Sequence, residues 1–209
     1  HSSRTLIRAS MKRGLQGPLH FIFVYELFAT VMERKIRVLI VPLGLIDVLI
    51  LDKVSDHLKG LGFEVYVSIW PLNVPLVFFD WERGQFKADE VLEYVKENFN
   101  GASGFDAVVA VGYLDAYSNG LNFVFGLSTR KFGTVYVKRL YDDDASIFIS
   151  RVIKEVTHEL GHALGLGHCN TPGCVMNFSN SVKEVDQKSA FFCDLCKAKL
   201  RLLYSEKRV

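Results

Sequence analysis

The stretch HELGHALGLGHC, His158 to Cys169, constrains the fold of this chain more than any other segment. His158 and His162 are four residues apart, so on a helix their imidazoles project from one face. Two imidazoles placed in this way can share one zinc ion at about 2.0–2.1 Å. Glu159 is rotated by about 100° from His158, where it can reach a metal-bound water without binding the metal. The stretch therefore predicts a helix that carries two metal ligands and a general base.

The residues after this helix complete the predicted site. Gly165 can adopt the positive φ that ends a helix, which turns the chain so that His168 returns as a third ligand. Three protein ligands and a fourth position left to water are typical of catalytic zinc. Histidine and glutamate also occur on helices without any function, but a glycine and a third histidine at these offsets seldom accompany them by chance. The spacing predicts a catalytic zinc site.

All four cysteines, Cys169, Cys174, Cys193 and Cys196, lie in the last quarter of the chain. Cys193 and Cys196 form a CxxC pair beside other potential ligands, which favours a local metal cage. Two disulfides are the alternative interpretation. We prefer the cage because nothing else in the sequence marks a secreted protein.

The remaining segments predict an α/β fold. Apolar runs predict strands in KIRVLIVPL, FEVYVSIW, DAVVAVGY, NFVFGLS and GTVYVKRL. Helical spacing predicts helices over residues 46–61, in QFKADEVLEYVKENF with Phe86 on its apolar face, and in DDDASIFISRVIKEVTHELGHALGL. Asp144 or a neighbour is expected to cap the last helix. The order of elements favours a sheet with a mixed edge, and the acidic run 142–144 predicts a capped, solvated helix start.

Charge and length limit the partners and the domain organisation. Lysine and arginine number 25 against 23 acidic residues, so the net charge of +2 favours neither nucleic acid nor an anionic membrane. The apolar segment Leu19–Met32 contains Glu26, is too short to span a bilayer and lacks a cleavage site after it. Residues 1–31 are expected to be an N-terminal extension of unassigned origin, or a helix packed on the surface, ahead of one catalytic domain, 32–209.

The motif resembles that of the metzincins. HELGHALGLGH matches HExxHxxGxxH followed by a methionine turn. The segments HCNTPGCVM (168–176) and CDLC (193–196) resemble the archaemetzincin family in particular. The resemblance covers Thr157 to Cys196. It implies an upper subdomain, 32–165, with a twisted mixed sheet and two long helices over a cleft. A small lower subdomain, 166–209, would be held together by zinc.

The resemblance also implies roles for individual residues. Glu159 would be the general base of a metallopeptidase, and Met176 the apolar floor beneath the metal. The catalytic zinc ligands would be His158, His162 and His168, and the structural zinc ligands would be Cys169, Cys174, Cys193 and Cys196. Two zinc ions per chain, a peptide or protein substrate, a monomer and a cytoplasmic location are expected. Phe178 stands where some metzincins place a tyrosine, so the sequence shows no second electrophile.

Two alternatives remain open. The first is a zinc-binding protein of metzincin fold whose site is closed or weakly active. The second treats the cysteine cluster and the basic end KAKLRLLYSEKRV as a nucleic-acid module. A solvated terminal helix explains that charge equally well, and the spacing differs from that of the finger with two cysteines and two histidines. We therefore expect neither a nucleic-acid partner nor a membrane.

Overall fold

A computed structural model describes residues 34–205. The predicted extension 1–31 and the apolar segment Leu19–Met32 lie outside the described residues. Within that range the strands are β1 (Arg37–Leu43), β2 (Glu64–Val67), β3 (Phe79–Asp80), β4 (Gln85–Lys87), β5 (Ala107–Gly112), β6 (Ala116–Tyr117), β7 (Gly126–Thr129) and β8 (Phe132–Tyr136). The helices are α1 (Val48–Gly60), α2 (Ala88–Phe99), α3 (Ala145–Ala163), α4 (Val182–Gln187) and α5 (Asp194–Ser205).

The main sheet has five strands in the order β2-β1-β5-β8-β7. The first four are parallel to one another, whereas β7 runs antiparallel to β8 at one edge. All six residues of the central strand β5, AVVAVG, are buried, as a strand covered on both faces requires. The predicted sheet with a mixed edge is confirmed, and its edge strand β7 contains the last three residues of the segment NFVFGLS, Gly126 to Ser128.

Helices cover both faces of this sheet. Along β5, Val109 and Val111 join an apolar cluster with α1 and α3, while Val108 and Ala110 face a second cluster with α2. Successive residues of a strand point to opposite faces, which explains this alternation. The mixed α/β fold predicted from the order of elements is confirmed. No helix within residues 34–205 is long and apolar enough to cross a membrane.

Several predicted boundaries are wrong. The strand predicted in GTVYVKRL ends at Tyr136, and Lys138–Leu140 form a 3-10 turn instead. The segment FEVYVSIW pairs only as far as Val67, because Ser68 turns the chain by bonding through its hydroxyl to the carbonyl of Trp70. The helix predicted from Gln85 begins at Ala88 instead. Phe86 belongs to β4 and pairs with Phe79 and Ala116 in a small sheet of order β3-β4-β6. Its helical spacing was coincidental, since strand pairing with distant segments decides the conformation there.

Helix α3 places the motif within the fold. The Asp144 side chain accepts hydrogen bonds from the backbone N–H groups of Ser146 and Ile147, which confirms the predicted cap. The helix packs on β5, β7, β8 and α1, and its apolar side includes Val152, Val156 and Leu160, all fully buried. Because the packed helix is nineteen residues long, its C-terminal half is held rigidly against the sheet.

Candidate metal centre

The three motif histidines come together at the end of α3. His158 and His162 lie one turn apart on the helix, and Gly165 has a φ of +103°, which reverses the chain toward His168. One ligand atom from each histidine lies within 4.8 Å of one from each of the others. The Nε2 atoms of His158 and His162 are 3.1 Å apart. Two nitrogens that bind one zinc at about 2.0–2.1 Å need a separation close to this value.

Backbone carbonyls orient two of the imidazoles. His158 Nδ1 donates to the Val175 carbonyl at 2.8 Å, and His162 Nδ1 donates to the Leu166 carbonyl at 2.9 Å. A carbonyl only accepts, so these bonds place the proton on Nδ1 and leave the Nε2 lone pair free. Zinc-binding histidines are typically fixed by such a bond on the opposite nitrogen. The two side chains are therefore preset as metal ligands.

Burial keeps these imidazoles neutral. It lowers the pKa of His158 to about 2, with the nearby Lys188 ammonium as a smaller cause, and it also lowers the pKa of His162 and His168. The neutral ring is the form that binds a metal. His168 is exposed whereas His158 is buried, so the group of histidines opens to solvent on the His168 side. A water molecule or a substrate could approach from there.

Met176 lies against the helix between the two helical ligands. It is fully buried, and a Cβ added at Gly161 would stand 2.3 Å from its sulfur atom. A side chain at position 161 would therefore force the buried Met176 side chain to move. Phe178 packs its ring against that of His168, with the centroids 5.0 Å apart, and stays exposed.

Glu159 is buried at the interface of α3 with the sheet edge. Its side chain accepts a hydrogen bond at Oε2 from the Ser128 hydroxyl on β7. Burial raises the pKa of Glu159 to about 8, partly offset by that hydrogen bond. A carboxyl group with this pKa can take up a proton near neutral pH and release it again.

The four cysteines form a second cluster. Their sulfur atoms lie within 4.8 Å of one another, with Cys169 to Cys193 at 3.7 Å and Cys174 to Cys196 at 3.8 Å. These separations are far longer than the roughly 2.05 Å of a disulfide and suit ligands on one ion at about 2.3 Å. All four are free thiols. The arrangement favours the predicted cage over the two disulfides.

Short backbone links join the two clusters. Cys169 directly follows His168 in sequence, and its N–H donates to the Met176 carbonyl at 2.9 Å. Within the cysteine cluster, the Thr171 N–H donates to the Cys169 sulfur and the Cys193 N–H to the Cys174 sulfur, both at 3.4 Å. N–H groups directed at sulfur stabilise thiolates, the form that binds a metal.

The sequence reasoning missed a buried ion pair behind His158. Lys188 Nζ lies 2.9 Å from Glu155 Oε1, and both side chains are almost fully buried. The same ammonium donates to the Asn177 carbonyl at 3.3 Å and lies 3.5 Å from His158 Nδ1. Glu155 precedes His158 by three residues on α3, and this helical spacing could have identified it as a neighbour of His158. Lys188 follows a short helix and carries no local signal.

Peptidases of the metzincin class share this order of features: an active-site helix, a glycine that turns the chain, a third histidine and a methionine turn. The geometry of the three histidines therefore places the chain among these zinc metallopeptidases. Comparison with known proteins narrows the class. The sequence model of the family described as Peptidase family M54 matches residues 34–202 of the chain. The chain belongs to that family, the family of the archaemetzincins.

Relatives of known sequence and structure agree. The chain is 49% identical over 174 residues to an archaemetzincin of Sulfolobus acidocaldarius. The aligned region covers 79% of this chain and 97% of that protein. It is 42% identical over 178 residues to one of Saccharolobus solfataricus, covering 81% and 95%. The crystal structure of the Methanopyrus kandleri archaemetzincin superposes with a TM-score of 0.72 at 35% identity, covering 85% of this chain and 99% of that one. The Archaeoglobus fulgidus structure gives 0.69 at 32%, covering 78% and 99%. The predicted family, fold and enzyme class are confirmed.

Proposed function

We propose that the chain hydrolyses peptide bonds with zinc held by His158, His162 and His168 and with Glu159 as general base. The observation that carries this proposal is the pair of Nε2 atoms 3.1 Å apart, each on a ring whose Nδ1 is bound to a carbonyl. This arrangement leaves two lone pairs directed at one position, with the buried Glu159 next in sequence to one ligand. Such preset donors fit zinc.

In this proposal the zinc ion and Glu159 have separate roles in hydrolysis. Zinc, when bound, lowers the pKa of a coordinated water toward about 7 and polarises the substrate carbonyl. Glu159 accepts the proton of the attacking water and delivers it to the leaving amine. Because its burial raises its pKa to about 8, the protonated form is accessible for the second transfer. No covalent intermediate with the protein is needed.

The four cysteines support a second, structural zinc, which gives two ions per chain. Four thiols close the ligand shell of a zinc ion and leave no position for substrate. Cys174 and Cys196 are buried, and Val175, Met176 and Phe192 beside them join the apolar cluster around α3. We propose that this ion stabilises the lower subdomain, 166–209, whose buried apolar residues join the cluster around α3 and form no separate core within residues 166–205. Free thiols in such a cage favour a reducing, cytoplasmic setting.

The substrate is a peptide or protein, and we propose that it adds a strand to β7. This strand lies at the edge of the main sheet: it pairs with β8 on one side, and no strand within residues 34–205 pairs with its other side. Extended peptides use this arrangement in strand addition. β7 also contacts α3, the helix of the metal ligands. The exposure of His168 supports an accessible site and favours the peptidase over a closed zinc-binding protein.

Replacement of Glu159 tests the proposed function. Glu159→Ala should retain zinc at the histidines, because glutamate is not a ligand, and should lower peptide hydrolysis by about 100- to 10,000-fold. Turnover of a peptide library and zinc content would be measured together on the purified protein. Glu97→Ala, which removes an exposed glutamate from α2, is the matched control. Full activity of Glu159→Ala would refute the assignment of the general base.

A further inference from the structure

The carboxylate of Glu159 is held by the edge strand as well as by its own helix. The Ser128 hydroxyl on β7 lies within hydrogen-bond distance of two oxygens of Glu159, the side-chain Oε2 and the backbone carbonyl at 3.1 Å. A serine hydroxyl has one proton to donate. In the ionised form, in which Glu159 can act as a base, its carboxylate oxygen is the stronger acceptor because a charge strengthens the bond. Ser128 therefore fixes the position of Oε2 from outside the helix.

Gly126 makes room for the other side of the same carboxylate. A Cβ added at Gly126 would stand 2.5 Å from both Cγ and Oε1 of Glu159, closer than any real contact. Its φ lies outside the positive range that only glycine favours, so the requirement is one of space. Gly126 and Ser128 are two residues apart on one strand and point to the same face. Oε1 consequently lies directly against the strand.

A second glycine shapes the place where Ser128 meets the glutamate. Gly133 on β8 pairs with Ser128 in the register of the sheet. A Cβ there would stand 2.9 Å from the Ser128 hydroxyl oxygen and 3.4 Å from Glu159 Cβ. We name Gly126, Ser128 and Gly133 together the glutamate seat. Two positions of the seat lack side chains, and the third supplies a single hydroxyl directed at the carboxylate.

We propose that Ser128 is a positioning residue for the general base, and that the glutamate seat holds the Glu159 carboxylate in its working orientation. This inference rests on the proposed function, in which Glu159 moves the proton. It adds a mechanical link: β7 is also the strand to which the substrate is proposed to pair. The same strand then positions both the Glu159 carboxylate and the substrate backbone. Their relative position therefore depends on how closely Ser128 holds Oε2.

A serine that only satisfied a buried polar group would contribute to stability alone. A positioning residue contributes to the chemical step, where a displacement of about 1 Å can cost roughly 100-fold in rate. Removal of the hydroxyl should then lower kcat and leave KM almost unchanged, because the substrate is proposed to pair with the backbone of β7 and not with the Ser128 hydroxyl, which is bound to Glu159. Separation of kcat from KM distinguishes the two roles.

The experiment compares Ser128→Ala with the wild-type protein, both loaded with zinc. We expect kcat for a peptide substrate to fall about 10- to 100-fold, with KM within about threefold and zinc content unchanged, and with a melting temperature lower by no more than about 10 °C, since one buried hydrogen bond is lost. Ser150→Ala is the matched control, since it removes an exposed hydroxyl from α3 far from the seat in sequence. Gly126→Ala is the second variant, and its Cβ should displace the carboxylate and lower kcat at least as much.

The outcomes separate this inference from the proposed function. Wild-type kcat in Ser128→Ala, or a rise in KM alone, would overturn the positioning role while Glu159→Ala stays inactive. A loss of kcat that is matched by a loss of zinc, or by a melting temperature lower by more than about 10 °C, would also overturn it, because the role would be structural. If Ser128→Ala does not fold, wild-type kcat in Gly126→Ala overturns the inference. Full activity of Glu159→Ala would instead remove the proposed function.

Discussion

Replacement of Lys188 by methionine would leave a buried carboxylate without its partner. Lys188 and Glu155 are 4% and 3% exposed, and their charged atoms are 2.9 Å apart. Removal of one member of a buried pair costs about 3–5 kcal/mol. Glu155 can escape part of this cost by taking up a proton, since burial already raises its pKa. Protonation of a carboxyl of ordinary pKa at pH 7 costs about 3 kcal/mol, at about 1.4 kcal/mol per pH unit.

The expected loss of stability at pH 7 is therefore about 3–4 kcal/mol in Lys188→Met, including the bond lost at the Asn177 carbonyl. For a chain of this length that corresponds to a melting temperature roughly 10 °C lower. The loss should shrink as the pH falls from 7 toward 5. In the variant the native state keeps the proton on Glu155 while the unfolded state releases it above the ordinary pKa, so lower pH favours the native state.

Thermal unfolding of the zinc-saturated protein at pH 7 and pH 5 is the assay. Lys183→Met, which removes an exposed lysine from α4, is the control. The double variant Lys188→Met with Glu155→Leu should recover most of the lost stability, because no unpaired charge remains. A melting temperature of Lys188→Met within about 2 °C of the wild type, or a double variant no more stable than the single one, would refute this reasoning.

Two further substitutions test the links between the clusters and the helix. Cys193→Ser should weaken zinc binding at the three histidines, although Cys193 is no ligand there, because the cysteine cage orders the segment that follows His168. Competition with a chelator measures the zinc affinity of the histidines. An undiminished affinity would show that the two sites are independent. Gly161→Ala should lower stability by about 1–3 kcal/mol, since its Cβ meets the Met176 sulfur at 2.3 Å; a wild-type melting temperature would contradict the close packing.

The metal centre was predictable from the sequence because its parts are local. His158 and His162 depend only on the helical period, and Gly165 adopts the positive φ that its position requires. The cysteines meet within a segment of 28 residues from Cys169 to Cys196. Short segments of this kind restrict the geometry strongly, so residue type and spacing alone indicate which atoms can converge on an ion.

The supporting residues were not predictable because they act across the fold. Ser128 reaches Glu159 from 31 positions away and Lys188 reaches His158 from 30 positions away, and neither distance has a spacing rule. Phe86 shows the same limit for secondary structure, since its strand forms only by pairing with Phe79 and Ala116. Long-range packing, which sequence periodicity does not encode, decides these cases.

The zinc content of the purified chain tests the central claim most directly. Elemental analysis would compare the wild type with the double variant His158→Ala, His162→Ala, which removes two nitrogens of the histidine group and leaves the cysteines intact. The account predicts about two zinc ions per chain in the wild type and about one in the variant, as expected for one catalytic and one structural site. One zinc ion in both proteins would contradict it, because only the cysteine cage would then be filled.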